Sequence, residues 1–555
     1  MLTGRRQALR LGAFALGGIS IGSAAWHLLT PTAGAIGLGG NLPGSSRQQI
    51  WRNGFPFSLG VAAGAPRPDG ITLWTRLAPQ PLQQEAASGA VDDLGLAGMP
   101  PGANDLEIGF EVATDPTMTR IIRRGSAVAE AAFAYSVHLD VDGLSPDRPY
   151  WFRFHSGNAT SRIGQARTLP AAGQPLTSLT LGVASCSNYE RGYFSAYRHL
   201  AAEHPDVTLF LGDYIYEKAH GGDVVRPHSD GVAAATLAQY RRRYAQYRSD
   251  PDLQLLHATA PCLPTWDDHE VQNDYAGDWS ETFDDPAQFR RRRAAAYQAF
   301  YEHMPLRAGL SHPHGADMRI YDRTSFGNLA TIHLLDGRQY RSREACYGPP
   351  DHGDGHLETT HSCAELNQED RSMLGARQET WLYDGLAKSA ARWNFIAQDV
   401  MMAPFRESQP APEHGFGYST DRWDGYPANR NRLLQHLYQA QTSNPVVLSG
   451  DIHSFWANDL HLRPEDPASP RVAHELVGTS ITSHGPDYAA LMANMTDNPQ
   501  IRFCDSRQRG YMMLGLTPDA LTAHFRTVSD VTDVNATLST LRSFVLENGG
   551  GLQQA

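Results

Sequence analysis

The sequence predicts a small all-β sandwich followed by a larger α/β layered domain. Three features predict it: period-two alternation without helical period up to about Thr168, short apolar β-rich runs alternating with helical stretches after Pro175, and polar clusters just behind several of those runs. At 555 residues the chain exceeds one typical domain and is long enough to bury a large core. The balance of 47 Lys and Arg against 59 Asp and Glu gives a net charge of −12, which argues against nucleic acid or an anionic membrane as the main partner.

Taken in order, residues 1–35 read as an export address. Thr3-Gly4-Arg5-Arg6-Gln7-Ala8-Leu9-Arg10 precedes an uncharged stretch from Leu11 to Leu29 and a small-residue site at Ala33-Gly34-Ala35, the layout of a twin-arginine signal. Gly4 and Ala8 depart from the usual pattern, and the stretch is long enough to serve as a membrane anchor instead, although its glycines lower its hydrophobicity. The expected partner during export is the twin-arginine translocase, and the expected location is the periplasm or the exterior.

Residues 50–170 carry the sandwich. Leu106-Glu107-Ile108-Gly109-Phe110-Glu111-Val112 and Ser136-Val137-His138-Leu139-Asp140-Val141 alternate as half-buried strands do. Leu144-Ser145-Pro146 followed by Tyr150-Trp151-Phe152-Arg153-Phe154 resembles the tyrosine-corner turn and strand of fibronectin-like sandwiches. Pro170 to Pro175 forms a linker. The layered domain is expected over 176–530, with strands at Leu179 to Ala184, Val207 to Leu211, Ala330 to Leu335, Phe395 to Ala397, Pro445 to Leu448 and Glu475 to Val477. Helices are expected at Ala233 to Tyr247, Ala287 to His303, Ala364 to Leu386 and Arg430 to Gln441, and 531–555 reads as a C-terminal tail. Arg241 to Arg243 and Arg290 to Arg293 read as solvated helix faces with some ion pairs. Of the five cysteines, Cys346 and Cys363 flank a Gly/Pro/His-rich loop containing His352, His356 and His361 and are the best disulfide candidates. Cys262 and Cys504 either pair or stay buried as thiols, which leaves Cys186 over.

Three polar clusters follow apolar runs, where open α/β sheets place their ligand sites. Gly212-Asp213-Tyr214-Ile215-Tyr216-Glu217 puts Asp213 on the turn beyond a strand, and reads either as a turn Asp with a packed Tyr or as a carboxylate able to bridge two cations with Tyr216 a hard phenolate ligand suited to Fe(III). Trp266-Asp267-Asp268-His269-Glu270 gathers four adjacent ionisable groups, a costly grouping without charges to neutralise them. Ser449-Gly450-Asp451-Ile452-His453 spaces Asp451 and His453 so that, on an extended segment, both point the same way; alone such a pair reads as hydrogen-bonded, and it is three clusters at three strand ends that point to a metal site. Ala184-Ser185-Cys186-Ser187-Asn188-Tyr189 adds Cys186, read either as an inert buried thiol or as a thiolate beside a trivalent metal.

These motifs resemble the PhoD-like alkaline phosphatase family, within the wider calcineurin-like and purple-acid-phosphatase group of metallophosphoesterases. Phe57-Ser58-Leu59-Gly60-Val61-Ala62-Ala63-Gly64 with Leu73-Trp74-Thr75-Arg76-Leu77, and Leu335-Asp336-Gly337-Arg338-Gln339-Tyr340-Arg341, extend the resemblance over nearly the whole chain. It implies a calcineurin-like metallophosphoesterase sandwich. It also implies that Cys186, Asp213, Tyr216 and His453 hold Fe(III), with Asp213 bridging to Ca2+ held by Asp268 and Asp451. Asp268 stands where the broader group uses Asn, and Asp451 where it uses His; both changes harden the site and favour Ca2+ over Zn2+. Family members carry two Ca2+ ions; Asn273 and Asp274 are candidates for the further ion, and Gln398 is a weaker one.

The implied chemistry is attack of metal-bound hydroxide on phosphorus. His269 is expected either to act on the transition state or leaving oxygen, or to serve as a hydrogen-bonding neighbour of the ligands. Arg338 is expected either to bind phosphate or to sit in a structural ion pair. The expected substrates are small phosphate monoesters and diesters. Three other readings stand beside this one: a phospholipase D using the same metals on phospholipid, a non-catalytic Ca2+-stabilised binding protein, and a Tyr-Fe oxidoreductase.

Overall fold

The computed structural model describes residues 51, 54–82, 99, 104–222, 224–348, 357–359, 362–408 and 415–555; the export segment and His352, His356 and His361 lie outside them. Two large mixed sheets form the centre. One has ten strands in the spatial order Leu552–Gln554, Leu538–Glu547, Ala520–Val528, Arg509–Leu516, Leu179–Ala184, Val207–Leu211, Cys262–Thr265, Val61–Gly64, Gly70–Arg76, Ser136–Asp142. The other has seven: Asp322–Phe326, Ala330–Leu334, Trp393–Ala397, Pro445–Ser449, Arg471–Val477, Phe455–His461, Ile501–Asp505.

The near-continuous apolar runs of the central strands follow from burial on both faces. In Val207–Leu211, Leu209 and Leu211 point into the core between the two sheets, whereas Phe210 points outward under the helices. Phe395 and Ala397 face the inter-sheet core and Ile396 the opposite side; Val446, Val447 and Leu448 split the same way. Each large apolar side chain fully buried here contributes about 1.5–3 kcal/mol. Helices cover the outer faces: Ser195–Ala202, Leu237–Arg248, Pro251–Thr259 and Pro286–His303 pack on the ten-stranded sheet, Gly375–Lys388 and Pro427–Ala440 on the other. Local chemistry starts several of them. Thr236 and Gln239 form a reciprocal capping box, and Asp250-Pro251 and Asp285-Pro286 each pair an N-cap carboxylate with proline in the first turn.

The N-terminal region is all-β. Its five-stranded sheet, which includes Leu106–Ala113, Ile121–Ala129 and Pro149–Ser156, packs Ile108, Val112, Phe152 and Phe154 against Val61, Leu73 and Val137. The Tyr150 hydroxyl accepts from the Ser145 amide at 2.9 Å and donates to the Ser145 carbonyl at 3.2 Å, closing a tyrosine corner. The opposing strands are not a sheet of their own. Val61–Gly64 pairs in parallel with Cys262–Thr265, so one layer of the N-terminal unit continues the ten-stranded sheet.

Several expectations need correction. Residues 531–555 are no tail: Leu538–Glu547 alternates Phe544 and Leu546 into the core and pairs with Ala520–Val528. The helix expected over Ala364 to Leu386 is a short 3-10 turn, Ala364–Asn367, and a separate helix Gly375–Lys388; between them Asn429 Oδ1 accepts the Met373 and Leu374 amides. Arg241, Arg243 and Arg293 are buried rather than solvated, because carboxylates and carbonyls satisfy them. Arg241 grips Glu302 through two nitrogens at 2.7 and 2.5 Å, Arg243 takes loop carbonyls with Asp230, and Arg293 meets Asp278 at 2.9 Å. Cys346 and Cys363 form a disulfide with Cα atoms 5.9 Å apart, while Cys262 and Cys504 are buried free thiols.

Candidate metal centre

Leu179–Ala184, Val207–Leu211 and Cys262–Thr265 run parallel, so the loops leaving their carboxyl ends lie side by side. Those loops carry Cys186, Asp213 and Asp268. In the second sheet, the loop after Pro445–Ser449 carries Asp451 and His453, and the loop after its parallel neighbour Arg471–Val477 carries Ser483. Two glycines let the loops close on one another. Gly212 has φ +85° and a Cβ there would lie 2.3 Å from Asp267 Cβ, while a Cβ on Gly450 would lie 2.7 Å from Ser185 Oγ.

Ligand-type atoms of Cys186, Asp213 and His453 lie within 4.8 Å of one another, and so do those of Asp213, Asp268 and His269. The Tyr216 hydroxyl joins the first group, 2.8 Å from Asp213 Oδ2, 3.0 Å from His453 Nε2 and 2.6 Å from Ser483 Oγ. His453 Nδ1 donates to the His484 carbonyl at 2.7 Å, which turns the Nε2 lone pair toward Tyr216 and Asp213. Asp451 reaches this cleft, but not by strand alternation with His453. Both residues sit on bends in the left-handed region, φ +66° and +50°, and the turn rather than an extended segment aims them.

The electrostatics are those of an acid cluster short of positive charge. Burial first, and then Asp421, push the Asp451 carboxyl up to about 7. Asp213 is raised well above the usual carboxylate range by burial and by Asp268 and Glu270, which outweigh the opposing pull of His269. Burial raises the Cys186 thiol and the Tyr216 phenol, with Asp213 adding to both. His453 is held neutral, down to about 3, by burial. His269 goes the other way: burial opposes its charge, yet Glu217, 2.6 Å from Nδ1, together with Asp268 and Asp213 raises it well above the ordinary imidazole value. The Asp451 carboxylate accepts no hydrogen bond among the described residues. A thiol, a phenol, an imidazole and several carboxyls whose anionic forms need a cation are a donor set that fits bound metal ions.

The remaining expected residues divide. Asp268 accepts the His269 and Asp274 amides at 2.8 and 2.7 Å, and Asp274 lines the cleft beside it. Asn273 is turned to Glu281 through Nδ2 at 3.0 Å. Arg338 lies fully buried behind the cleft, with Nε on Asp267 at 2.5 Å and its two terminal nitrogens on Asp421 at 2.5 and 3.0 Å. Its fork is therefore filled by carboxylates and does not face the cleft, which is the ion-pair alternative. Gln398 is also spent elsewhere: its amide nitrogen donates to the Val400 carbonyl and to Ser449, and its oxygen accepts from Trp423.

Sequence reasoning passed over Asp421, Ser483, His484 and Arg191. Ser483 and His484 stand several positions past their strand, Arg191 stands five positions beyond Cys186, and Asp421 follows the short strand Phe416–Ser419, which no long apolar run marks in the sequence. The cleft they share has a volume of about 720 Å3.

With this geometry in view, comparison with known proteins is direct. Residues 181–525 match the model of the PhoD-like phosphatase and residues 44–170 that of the PhoD-like phosphatase N-terminal domain. Alkaline phosphatase D of Bacillus subtilis (strain 168) is 41% identical over 501 residues, covering 89% of this chain and 81% of that protein. A solved structure titled Structure of PhoD superposes with a TM-score of 0.82 at 40% identity, covering 90% of this chain and 92% of that one. Both halves of the chain thus match together and in order, and the chain belongs to the PhoD-like phosphatase family and is a phosphatase enzyme.

Proposed function

We propose that this phosphatase is an exported, metal-dependent esterase that hydrolyses small phosphate monoesters and diesters. The convergence of Cys186, Asp213, Tyr216 and His453 at one end of an acidic cleft carries the reading. These four would hold Fe(III). Asp213, Asp268 and Asp451 would hold Ca2+, and Asp274, which lines the same cleft, is a candidate for a second Ca2+. Such ions, when bound, activate water and neutralise charge building on the phosphoryl oxygens.

The protein's own groups do the rest. His269, kept protonated by Glu217 and tilted by 33° against the Tyr216 ring with centroids 4.1 Å apart, has no hydrogen-bond partner for Nε2 among the described residues and serves as proton donor to the leaving oxygen. Arg338 works indirectly, holding Asp267 and Asp421 in place. The layered part, which includes the C-terminal strands Leu538–Glu547 and Leu552–Gln554, corresponds to a calcineurin-like sandwich, and the all-β part over 50–170 to a fibronectin-like unit. The twin-arginine motif at Arg5-Arg6 supports passage through the twin-arginine translocase to the periplasm or beyond. A phospholipid substrate is the second reading, favoured by the apolar side of the cleft formed by Phe405, Ile452 and Leu491.

Elemental analysis with a visible spectrum tests the centre. Iron plus calcium and a tyrosinate-to-Fe(III) band that vanishes in Tyr216→Phe are expected; colourless, zinc-only protein with full activity overturns the assignment of Tyr216. Comparing an aryl phosphate, a bis-aryl phosphodiester and phosphatidylcholine separates the substrate readings. Metal-loaded protein that turns over none of them overturns the esterase.

A further inference from the structure

The cleft's cations are nearly all engaged. Lys218 pairs with Glu281 at 3.4 Å, His269 with Glu217 at 2.6 Å and Arg422 with Glu407 at 3.5 Å. Arg191 also lines the cleft, but among the described residues its guanidinium has neither a carboxylate nor a hydrogen-bond acceptor. A cation left unpaired in a cleft this rich in carboxylates is available to an anion that arrives from outside.

Its backbone is fixed on every side. The Arg191 amide donates to the Asn188 carbonyl at 3.1 Å, Asn188 Oδ1 caps the short turn by accepting the Glu190 amide at 3.0 Å, and Thr482 Oγ1 donates to the Asn188 carbonyl at 2.7 Å. Next door, the Tyr193 amide donates to the Val531 carbonyl at 2.7 Å, and the Arg226 guanidinium lies over the Tyr189 ring, 3.8 Å from its centroid. The base is rigid and the side chain is free, so little order is lost when the guanidinium grips a ligand. Arg191 stands five positions beyond Cys186 and lines the cleft together with Ser483, whose hydroxyl donates to the Cys186 carbonyl at 3.1 Å, and with His484, whose carbonyl orients His453; this locates it at the Cys186 and His453 end.

We propose that Arg191 is the substrate-charge selector of this enzyme: it binds an anionic oxygen of the ester and favours doubly charged phosphate monoesters over singly charged diesters. The inference rests on the esterase reading above and adds to it which ester charge the cleft prefers. A guanidinium forming charge-assisted hydrogen bonds to a phosphoryl oxygen discriminates between the two charge states by about tenfold.

Steady-state kinetics of the metal-loaded protein at alkaline pH test this, with 4-nitrophenyl phosphate and bis(4-nitrophenyl) phosphate as probes. Arg191→Ala is expected to raise KM for the monoester about tenfold more than for the diester, with metal content unchanged. Arg191→Lys should recover part of the loss, because the charge returns without the fork. Monoester KM in the unaltered protein should climb with added salt, and that dependence should flatten in Arg191→Ala. Equal losses on both esters, unchanged KM on both, or loss of metal from Arg191→Ala overturns the selector. Failure of the unaltered protein to hydrolyse either ester overturns instead the function on which the proposal stands.

Discussion

Among the described residues Arg338 is the one cation that faces Asp267, and Arg338→Met removes it. The guanidinium is fully buried, with Asp267 at 2.5 Å, Asp421 at 2.5 Å, Asp399 at 3.6 Å and Asp268 at 4.0 Å. Truncating one member of a buried pair leaves an uncompensated charge and costs about 3–5 kcal/mol. Two carboxylates, Asp267 and Asp421, lose a hydrogen-bonded partner here, while Asp399 and Asp268 lose only a longer contact, and the penalty does not multiply. Arg341 still meets Asp421 at 2.5 Å, whereas Asp267 has no other salt-bridge partner among the described residues. The expected loss for Arg338→Met is therefore that of one broken pair, about 3–5 kcal/mol. Arg338→Lys should lie between, since an ammonium keeps the charge but reaches fewer of the acceptors. Urea unfolding followed by tryptophan fluorescence reads the loss, or the unfolding rate does if refolding fails. In Arg338→Lys, KM for an aryl phosphate should stay near that of the unaltered protein, because the side chain does not reach the cleft. An Arg338→Met variant as stable as its parent but with a sharply raised KM would refute the ion-pair account and return Arg338 to the phosphate.

Other perturbations probe the frame around the site. The Cys346–Cys363 disulfide closes a loop with a sequence separation of 17, so Cys346→Ser/Cys363→Ser should lower unfolding free energy by about 3 kcal/mol, and an unmoved urea midpoint would rule that out. Gly212→Ala combines a left-handed backbone with a Cβ 2.3 Å from Asp267 Cβ; a loss of about 2–5 kcal/mol in thermal stability and a fall in turnover are expected, and parental values for both would contradict the packing argument. His138 is pushed down to about 4 by burial, against the two carbonyls at 2.9 and 3.0 Å that face its Nε2. Its folded value lies below its unfolded one, so the unfolded chain binds the extra proton and stability falls as pH drops from about 6.5 toward 4. His138→Gln should flatten stability over that window by up to one proton, and identical pH profiles of the urea midpoint would show that His138 contributes nothing.

What was readable in the sequence follows from which forces are local. Leu179–Ala184 and Val207–Leu211 stood out because their apolar runs act within a few residues, and most of Pro286–His303 because of its helical period. Cys186, Asp213, Asp268 and His453 could be picked as a group because each sits just beyond a strand that the run itself marks. Asp421 was not, since it lies on an irregular loop and owes its place to Arg338 and Arg341, which are about eighty positions earlier in the chain. The same limit hid the buried arginines. A run such as Arg241 to Arg243 looks solvated until Glu302, sixty-one positions away, packs beside it. Strand pairing is long-range as well, so nothing near Val61–Gly64 announces that its neighbour is Cys262–Thr265.

Backbone conformation links these levels. Cys186, Asp213, Asp451 and His453 have φ of +60°, +52°, +66° and +50°, a region that costs a non-glycine residue about 1–2 kcal/mol. Four such residues in one site persist only if their surroundings hold them. The Cys186 amide donates to the Gly212 carbonyl at 3.2 Å and the Ser187 amide to the Asp213 carbonyl at 2.8 Å, which zips the first two loops together. Glu270 then accepts the amides of Asp213, Tyr214 and Asp267 at 3.0, 2.6 and 2.8 Å, tying the second loop to the third. On the other sheet, the Gly450 amide donates to the Asp399 carbonyl at 2.6 Å, and the His453 carbonyl accepts from Arg509. A side chain on a regular strand must point to one face or the other. A left-handed turn immediately past the strand end frees it from that choice and swings it over the end of the sheet. Loops from two sheets can then aim side chains at one volume, so the strain is the geometric condition for assembling the donor set.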